Sequence, residues 1–358
     1  MAADPFFKNK KVGIIEPLIK NQNDRTWSFW EEGEGLFEQI VKKKWPNLNF
    51  YSQDGKIPLD TGSFNYKMIQ GIDFYNFCLA RINKASHIEL IQDQVLHVSE
   101  NSGAVVNGEK GEYSADLVFK SYMSADVSLD HHLSVIQHFG GWFVNFDESV
   151  FDAQTATFMD FRIEQAGESR FFYVLPLSEK EALVEMAIFS NSPWTNSQYD
   201  EAIHSYIDKY ISKAAYVIQE REYGKIPMTT YPFWKHDSNY ILHIGTAGGA
   251  VKPSSGYAFT RIQKHSDLII DQIKTLGKVS SSKAIFKKKF YYYDATLLHV
   301  LLEQKKSCAK VFAQMFKRNK GDSVLSFLNE DTSYLNEIKM FSTMPILPFS
   351  KGLLRTLF

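Results

Sequence analysis

Cysteine is scarce in this sequence: among 358 residues there are only Cys78 and Cys308, far apart in the chain. Neither belongs to a CxxC motif or to a cysteine–histidine spacing that binds zinc. The adjacent His131 and His132 offer no alternative metal site, because neighbouring side chains point in different directions. The sequence therefore predicts a reducing, cytoplasmic environment, no disulfide framework and no bound metal.

A bias in charge and a long apolar run are also missing. The formal net charge is −1, so no basic field attracts nucleic acid or anionic lipid from a distance. No segment reaches the roughly 18 consecutive apolar residues of a membrane span, and no secretory signal is recognisable. We expect a protein that has no nucleic-acid partner and that is soluble or lies on a membrane without crossing it.

The first ten residues contain no glycine. The run that follows, Lys11 to Glu16, is short and apolar and ends in a carboxylate, as do buried parallel strands whose terminal acid faces a ligand. In a nucleotide-binding βαβ unit such an acid binds the ribose hydroxyls, and a strand with a GxGxxG turn precedes it. We therefore expect an N-terminally truncated Rossmann-like domain that lacks its first strand and glycine turn, with Glu16 as a cofactor ligand.

Aromatic residues are abundant: 28 Phe, 18 Tyr and 6 Trp make up 15% of the chain. Such a content of large, rigid, apolar side chains exceeds what an enzyme of small polar metabolites needs. It favours an apolar ligand, although a stiff core would account for it equally well.

Apolar periodicity and turn residues predict an α/β (α+β) fold. The predicted elements are a helix at 66–80, a β-meander from 88 to 119, antiparallel strands at 156–164, 170–177 and 182–190, a helix at 199–219, a strand at 240–245 that leads into a glycine-rich turn, and helices after 294. The predicted domains are a discontinuous cofactor-binding domain of the dinucleotide-binding flavoprotein type (1–125 and 225–280) with a β-meander, an antiparallel-sheet substrate domain (126–224) and a helical C-terminal region (281–358).

Several short motifs occur in a fixed order along the chain. They are Asn23–Trp30 (NDRTWSFW), Phe158–Arg162 (FMDFR), Phe172–Pro176 (FYVLP), Leu183–Glu185 (LVE), Ile226–Met228 (IPM) and Ile244–Gly249 (IGTAGG) continuing through Lys252–Tyr257 (KPSSGY). With these motifs the chain resembles the flavin-dependent lycopene cyclases of the bacterial β-cyclase type, from about Val12 to the C-terminus.

The resemblance implies a non-redox cyclisation of the ψ end groups of lycopene, or of a related acyclic carotenoid, to β-ionone-type rings. A carboxylic acid protonates the terminal double bond, and a reduced FAD stabilises the carbocation in a site that excludes water. NAD(P)H would serve only to reduce the flavin. Glu185 falls where the family carries its essential carboxylate.

The residues around Glu185 agree with an acid role. Glu185 interrupts the apolar run from Ala182 to Phe189, and desolvation raises the pKa of a buried carboxyl, which keeps it protonated near neutrality. The alternative is a buried ion pair between Glu185 and Arg162 of the neighbouring strand. Asp160 and Arg162, two residues apart on one strand, either satisfy each other or orient the catalytic site.

The remaining candidate residues concern the cofactor. Arg25 is expected to meet the FAD phosphates, and the glycines of the second turn are expected to let the backbone approach the flavin or pyrophosphate. Lys252 and Tyr257 flank that turn, and each either contacts the cofactor or lies on the loop surface. The glycines concerned are Gly245, Gly248 and Gly249.

Two other functions are compatible with the sequence. A flavin-dependent monooxygenase or oxidoreductase would share the two-domain plan, and without the first strand the chain could be an inactive, flavin-free remnant.

The C-terminal segment is apolar enough to dock on the inner face of a membrane, or to close over the protein's own core. Its apolar residues are Met344, Ile346, Leu347, Phe349, Leu353, Leu354, Leu357 and Phe358.

Overall fold

The computed structural model describes residues 1–123, 127–129, 131–279, 287–303 and 308–357. The predicted domain boundaries at 125/126 and 280/281, and Phe358, lie outside these ranges. The strands are β1 (Val12–Ile15), β2 (Thr26–Glu32), β3 (Lys43–Trp45), β4 (Asn47–Ser52), β5 (Gly55–Leu59), β6 (Phe64–Gln70), β7 (Ile88–Ile91), β8 (Val95–Glu100), β9 (Ala104–Gly108), β10 (Glu112–Ala115), β11 (Val118–Lys120), β12 (Ser134–Phe146), β13 (Thr155–Asp160), β14 (Ser169–Pro176), β15 (Glu181–Phe189), β16 (Tyr216–Thr229) and β17 (Ile241–His243). The α-helices are α1 (Gly71–Ile82), α2 (Asn196–Tyr210), α3 (Phe259–Leu276), α4 (Lys288–Glu303), α5 (Cys308–Arg318), α6 (Gly321–Leu328), α7 (Tyr334–Phe341) and α8 (Ile346–Leu357).

A seven-stranded sheet organises the molecule, in the order β16-β12-β15-β14-β13-β4-β5. The predicted antiparallel trio is confirmed as β13, β14 and β15. The sheet also includes β4 and β5, which fall in the predicted cofactor-binding domain (1–125). Strand β16 runs across the predicted domain boundary at 224/225. Only the pairing of β13 with β4 is parallel among the strands of this sheet in the described residues.

The two faces of the sheet carry separate cores, because alternate side chains of a strand point to opposite faces. Helix α2 covers one face, where Val184 and Met186 pack against Ile203. The opposite face packs on α5 and α6 and on Trp30 of β2, and it includes Leu183 and Ala187. Glu185 lies two residues from each of them along β15, so its side chain points toward the same face as theirs.

The predicted cofactor-binding domain (1–125 and 225–280) contains two parallel strand pairs. β1 pairs with β7, which confirms the predicted parallel strand after Lys11, and β11 pairs with β17. The predicted meander is therefore shorter than expected: only β8, β9 and β10 form it. The flanking strands at 88 and 118 pair in parallel instead, which local sequence patterns do not reveal.

Two predicted helices were wrong in part. The segment 66–70 belongs to β6, which is hydrogen-bonded to both β2 and β3, and α1 begins only at Gly71. Helix α2 ends at Tyr210, and residues 216–219 lie in β16 beside β12. In both places long-range strand pairing overrides a local periodicity that is compatible with a helix.

A buried ion network joins the glycine-rich loop after β17 to the C-terminal helices. The Lys252 side chain is fully buried, and its Nζ donates to Asp294 Oδ1 at 2.8 Å and to Glu330 Oε1 at 3.0 Å. Arg261 also contacts Glu330. Of the two alternatives for Lys252, the one that puts it on the loop surface was wrong, because two carboxylates hold its ammonium in the interior.

Replacing Lys252 by Met should destabilise the fold strongly. The change leaves the buried carboxylates without their common cation, which typically costs about 3–5 kcal/mol. The free energy of unfolding from urea denaturation measures it. Lys264→Met is the matched control: Lys264 pairs with Asp331 at the surface, so its loss should cost less than about 1 kcal/mol. Equal effects of the two variants would contradict a structural role for the buried network.

Candidate active site

Glu185 lies in a row of residues that crosses the seven-stranded sheet. It is paired with Tyr173 of β14 on one side and with Gly141 of β12 on the other. On its other side, Gly141 pairs with Glu222 of β16. Two glutamates therefore flank one glycine on the same face of the sheet.

Gly141 leaves room for these carboxyl groups. Strands lie about 4.8 Å apart, so the two glutamate backbones are separated by about two such spacings, and their side chains can meet above the glycine. A Cβ at position 141 would lie 3.2 Å from Glu185 Cβ and 3.0 Å from Leu183 Cδ1. A side chain at Gly141 would therefore push into the space over which the carboxyl groups approach each other.

The environment of Glu185 favours its protonated form. Glu185 lies deep in the protein but keeps some accessible surface. Desolvation, followed by the charge of Glu222 and the hydrogen bond to it, raises the pKa of Glu185 well above its usual range. Burial also raises the pKa of Glu222, although hydrogen bonds from Thr26 and Glu185 oppose this rise.

Two buried tyrosines, Tyr66 and Tyr173, stand beside Glu185, and the partly buried Tyr257 bonds to both. Tyr173 and Tyr257 hydroxyls are 3.1 Å apart, and the Tyr257 hydroxyl also bonds to Tyr66. Desolvation raises the pKa of each of these phenols, which keeps them neutral. The Trp30 ring meets the Tyr257 ring edge-on, with centroids 4.6 Å apart. The site of the acid is therefore walled by aromatic rings.

The NDRTWSFW segment, in the predicted cofactor-binding domain, contacts Glu222 and Glu220. Thr26 Oγ1 donates to Glu222 Oε2 at 2.8 Å, and Asn23 Nδ2 donates to Glu220 Oε1 at 3.0 Å. The Asn23 Oδ1 atom is buried without a hydrogen-bond partner in the described structure. The motif thus connects the edge of the sheet to the predicted cofactor region.

Asp160 and Arg162 lie elsewhere. Arg162 Nε donates to Asp160 Oδ1 at 2.9 Å, and the buried Asp160 also accepts from Tyr206 Oη of helix α2 at 2.6 Å. Helix α2 covers the face opposite to Glu185. The alternative of an ion pair between Glu185 and Arg162 was therefore wrong: Arg162 pairs with Asp160, and Glu185 faces Glu222.

Glu16 and Arg25 belong to one surface cluster. Glu16 follows β1 and pairs with Lys20 at 3.4 Å, and Arg25 Nε donates to Asp24 Oδ1 at 3.1 Å. Asp24 also accepts from Tyr75 Oη, and burial together with this bond raises the pKa of Tyr75 to about 12. The structure thus brings two predicted cofactor residues together, with Arg25 held by an acidic neighbour.

The glycine-rich turn has the features of a close-approach loop. Gly245 (φ +61°) faces open space, and Gly249 (φ +74°) adopts the left-handed conformation that favours glycine. A Cβ on Gly248 would lie 2.3 Å from the His243 carbonyl oxygen. Buried atoms without partners in the described structure, Ser255 Oγ and His265 Nε2, lie in or near this turn. Open glycine backbone and unsatisfied polar atoms fit a polar cofactor such as FAD.

Sequence reasoning missed Glu222, Tyr66 and Tyr173, whereas Tyr257 was among its candidates. Glu220 and Glu222 are two residues apart, and in a strand this spacing puts both side chains on one face. Their segment was predicted as the end of a helix and the loop that follows, so this signal was lost. Tyr66 was likewise assigned to a helix, although it lies in β6.

Sequence comparison identifies the family. The model of the family described as "Lycopene cyclase protein" matches residues 7–354, nearly the whole chain. The chain belongs to the lycopene cyclase family. The resemblance seen in the ordered motifs is thereby confirmed. A comparison with curated proteins gave no significant match.

Solved structures support the fold of this lycopene cyclase family member. A geranylgeranyl bacteriochlorophyll reductase-like protein from Thermoplasma acidophilum is 14% identical, with a TM-score of 0.53 over 96% of this chain and 89% of that one. A flavin-dependent brominase triple mutant is 15% identical (TM-score 0.56; 94% and 93% covered), and a tryptophan halogenase from Shewanella frigidimarina is 11% identical (TM-score 0.56; 97% and 87% covered). The predicted fold class, a Rossmann-like α/β architecture, is confirmed.

No helix in the described ranges combines the length and apolarity needed to cross a bilayer. No group of three or more histidine, cysteine, aspartate or glutamate side chains there is arranged to hold a metal ion.

Glu185 should make the stability of the fold depend on pH. Its pKa is higher in the folded than in the unfolded state, so its contribution is fully present below the ordinary value of 4.5 and is lost as pH rises through the folded pKa. Relative to the Glu185→Gln variant, the wild-type protein should lose about 1.4 kcal/mol of unfolding free energy for each pH unit between the ordinary pKa and the folded-state pKa of Glu185. Urea denaturation between pH 5 and 8 measures the difference, and Glu181→Gln, at the outer end of β15, is the control. Parallel curves for wild type and Glu185→Gln would disprove the raised pKa.

Proposed function

We propose that this family member cyclises the ψ end groups of lycopene, or of a related acyclic carotenoid, to β-ionone-type rings. The observation that carries the proposal is Glu185: a carboxylic acid whose pKa is raised by burial and by Glu222, in a region walled by aromatic side chains. A long polyene has no group for polar recognition, so an apolar wall with one acid matches its chemistry.

Glu185 acts as the general acid. Its proton adds to the terminal double bond of the ψ end, the carbocation closes a six-membered ring, and the ring loses one proton, so protons balance and no electron is transferred. The faces of Trp30 and Tyr257 can stabilise a passing cation, as aromatic rings do. Burial of the site limits the attack of water on that cation.

FAD is the proposed cofactor, reduced by NAD(P)H. When bound and reduced it supplies negative charge that stabilises the cation. Glu16 and Arg25 would hold its ribose and phosphates at one end. At the other end the backbone of the glycine-rich turn would hold it near Tyr257, through Gly245, Gly248 and Gly249.

The other predicted site residues have indirect roles in this proposal. The Lys252 ammonium is engaged by Asp294 and Glu330, so Lys252 supports the cofactor loop from behind. Asp160 and Arg162 anchor helix α2 to the sheet and thereby hold β14 and β15 in place.

Glu185→Gln should abolish most of the cyclisation. The amide keeps the shape of the side chain but has no transferable proton, and general acid catalysis is worth roughly 10²–10⁴-fold. Carotenoid products formed from lycopene in liposomes, with reduced FAD, are separated by chromatography. Ring formation should fall at least about 100-fold while the FAD content stays unchanged, and Glu181→Gln should behave as wild type. Near-normal ring formation by Glu185→Gln would remove Glu185 from the mechanism.

A flavin-dependent monooxygenase or oxidoreductase is the alternative within the same fold. Such an enzyme consumes NAD(P)H in proportion to product, whereas a cyclase needs only enough to reduce the flavin once. Counting NAD(P)H consumed per ring formed in the same assay separates the two. The third alternative, a flavin-free remnant, predicts neither ring formation nor bound FAD.

We further propose that α7 and α8 rest on the cytoplasmic face of the membrane that dissolves the substrate. Met344 and Phe349 pack into the core, but Leu335 (79% exposed), Ile346 (78%) and Leu347 (74%) stand out from it. Each such side chain gains about 1.5–3 kcal/mol on burial. The two alternatives for this segment are thus combined: one side closes the core and the other carries an apolar surface.

The double variant Ile346→Asp/Leu347→Asp should weaken binding to anionic liposomes. Charges on this surface oppose its insertion, whereas Leu96→Asp, which changes a 63% exposed leucine of the meander, should leave binding unchanged. Liposome flotation measures the bound fraction, and thermal unfolding checks that the variants fold. Equal flotation of both variants and the wild type would contradict this docking surface.

A further inference from the structure

Glu222 has no role in the reaction as proposed, yet its surroundings are built around it. It lies directly across Gly141 from Glu185 and bonds to that carboxyl. Thr26 Oγ1 donates to its other side at 2.8 Å. A solvent-facing glutamate at the edge of a sheet would need none of these contacts.

We propose that Glu185 and Glu222 form a carboxyl pair that shares one proton, with Glu222 as the positioning residue that keeps this proton on Glu185 and aims it at the substrate. The proposal rests on the proposed function where it calls Glu185 the acid. The pair itself stands on the register of three strands and on the contact with Thr26.

The pair can hold one proton because two adjacent carboxylates in a poorly solvated site cannot both be ionised at low cost. Glu222 is the member that ionises first. The Thr26 hydroxyl and the Glu185 O–H both donate to it, and both stabilise its charge. The remaining proton therefore stays on Glu185, whose other neighbours are apolar side chains and neutral phenols.

The other titratable groups that face the pair disfavour a doubly ionised pair. Tyr66 and Tyr173 face Glu185 and, like Tyr257, stay neutral because burial raises their pKa values. Glu220 lies on the same strand and face as Glu222, and its charge raises the pKa of Glu222, whereas the hydrogen bonds from Thr26 and Glu185 lower it. The charge of Glu220 therefore disfavours ionisation of both carboxyls, and the two hydrogen bonds keep the charge of the pair on Glu222.

Glu222→Gln tests the pair without any carotenoid. Removing the neighbouring charge should make Glu185 easier to ionise, so the midpoint of its carboxylic-acid band in infrared difference spectra should fall by about one pH unit or more. Glu185→Gln assigns the band by removing it. Glu220→Gln is the matched control: same strand and face, bonded to Asn23 and not to Glu185, so it should move the midpoint less than half as much.

The same variants change the pH profile of cyclisation. In Glu222→Gln the basic limb of kcat/KM should shift to lower pH by the same amount as the infrared midpoint, with activity kept at low pH. A purely structural glutamate would lower the whole profile without shifting it. An unchanged infrared midpoint in Glu222→Gln would overturn the pair, whereas a shifted midpoint in a protein that forms no rings would overturn only the proposed function.

Gly141→Ala provides a second variant in which both carboxyls remain. Its methyl group would lie 3.2 Å from Glu185 Cβ, so it should separate the carboxyls and lower the midpoint as Glu222→Gln does. Circular dichroism checks its fold. A folded Gly141→Ala protein with the wild-type midpoint would show that contact across the glycine does not hold the proton.

Discussion

The burial of carboxyl groups in an apolar sheet is the constraint on which the site depends. Glu185 cannot lie among Leu183, Ala187 and the tyrosines as an isolated charge, because desolvation of a carboxylate costs several kcal/mol. The surroundings raise the pKa of Glu185, which favours its protonated form, and Glu222 lies across Gly141 from it. The raised pKa that lets the fold accommodate this carboxyl group is also what the proposed acid role requires.

A second buried charge holds the parts of the molecule together. Lys252 extends from the glycine-rich loop into the C-terminal helices, where it meets Asp294 and Glu330. The loop also carries Tyr257, which bonds to Tyr173 of the sheet. The predicted cofactor loop, the sheet and the C-terminal helices are therefore mutually positioned by a few polar contacts inside a largely aromatic interior.

Elements that are set by local residue patterns could be predicted from the sequence, and elements that are set by distant partners could not. Strands β13 to β15 were predicted because each has its own alternating pattern and turn residues. Residues 66–70 and 216–219 were not, because their strand state comes from partners distant in the chain, β2 for the first and β12 for the second. Asp160 and Arg162 were predicted as a possible pair, but which face they occupy depends on α2.

The sequence by itself determined the class of fold, the lycopene cyclase family and the position of one buried acid, because these depend on ordered motifs and on the apolar run around Glu185. Only the tertiary structure decided which groups surround that acid. Glu222 meets Glu185 through the register of β15, β12 and β16, and Arg162 turns away to Asp160. Strand register, and the face of the sheet to which a side chain points, are set by strand pairing between distant segments, and no local pattern of residues specifies them.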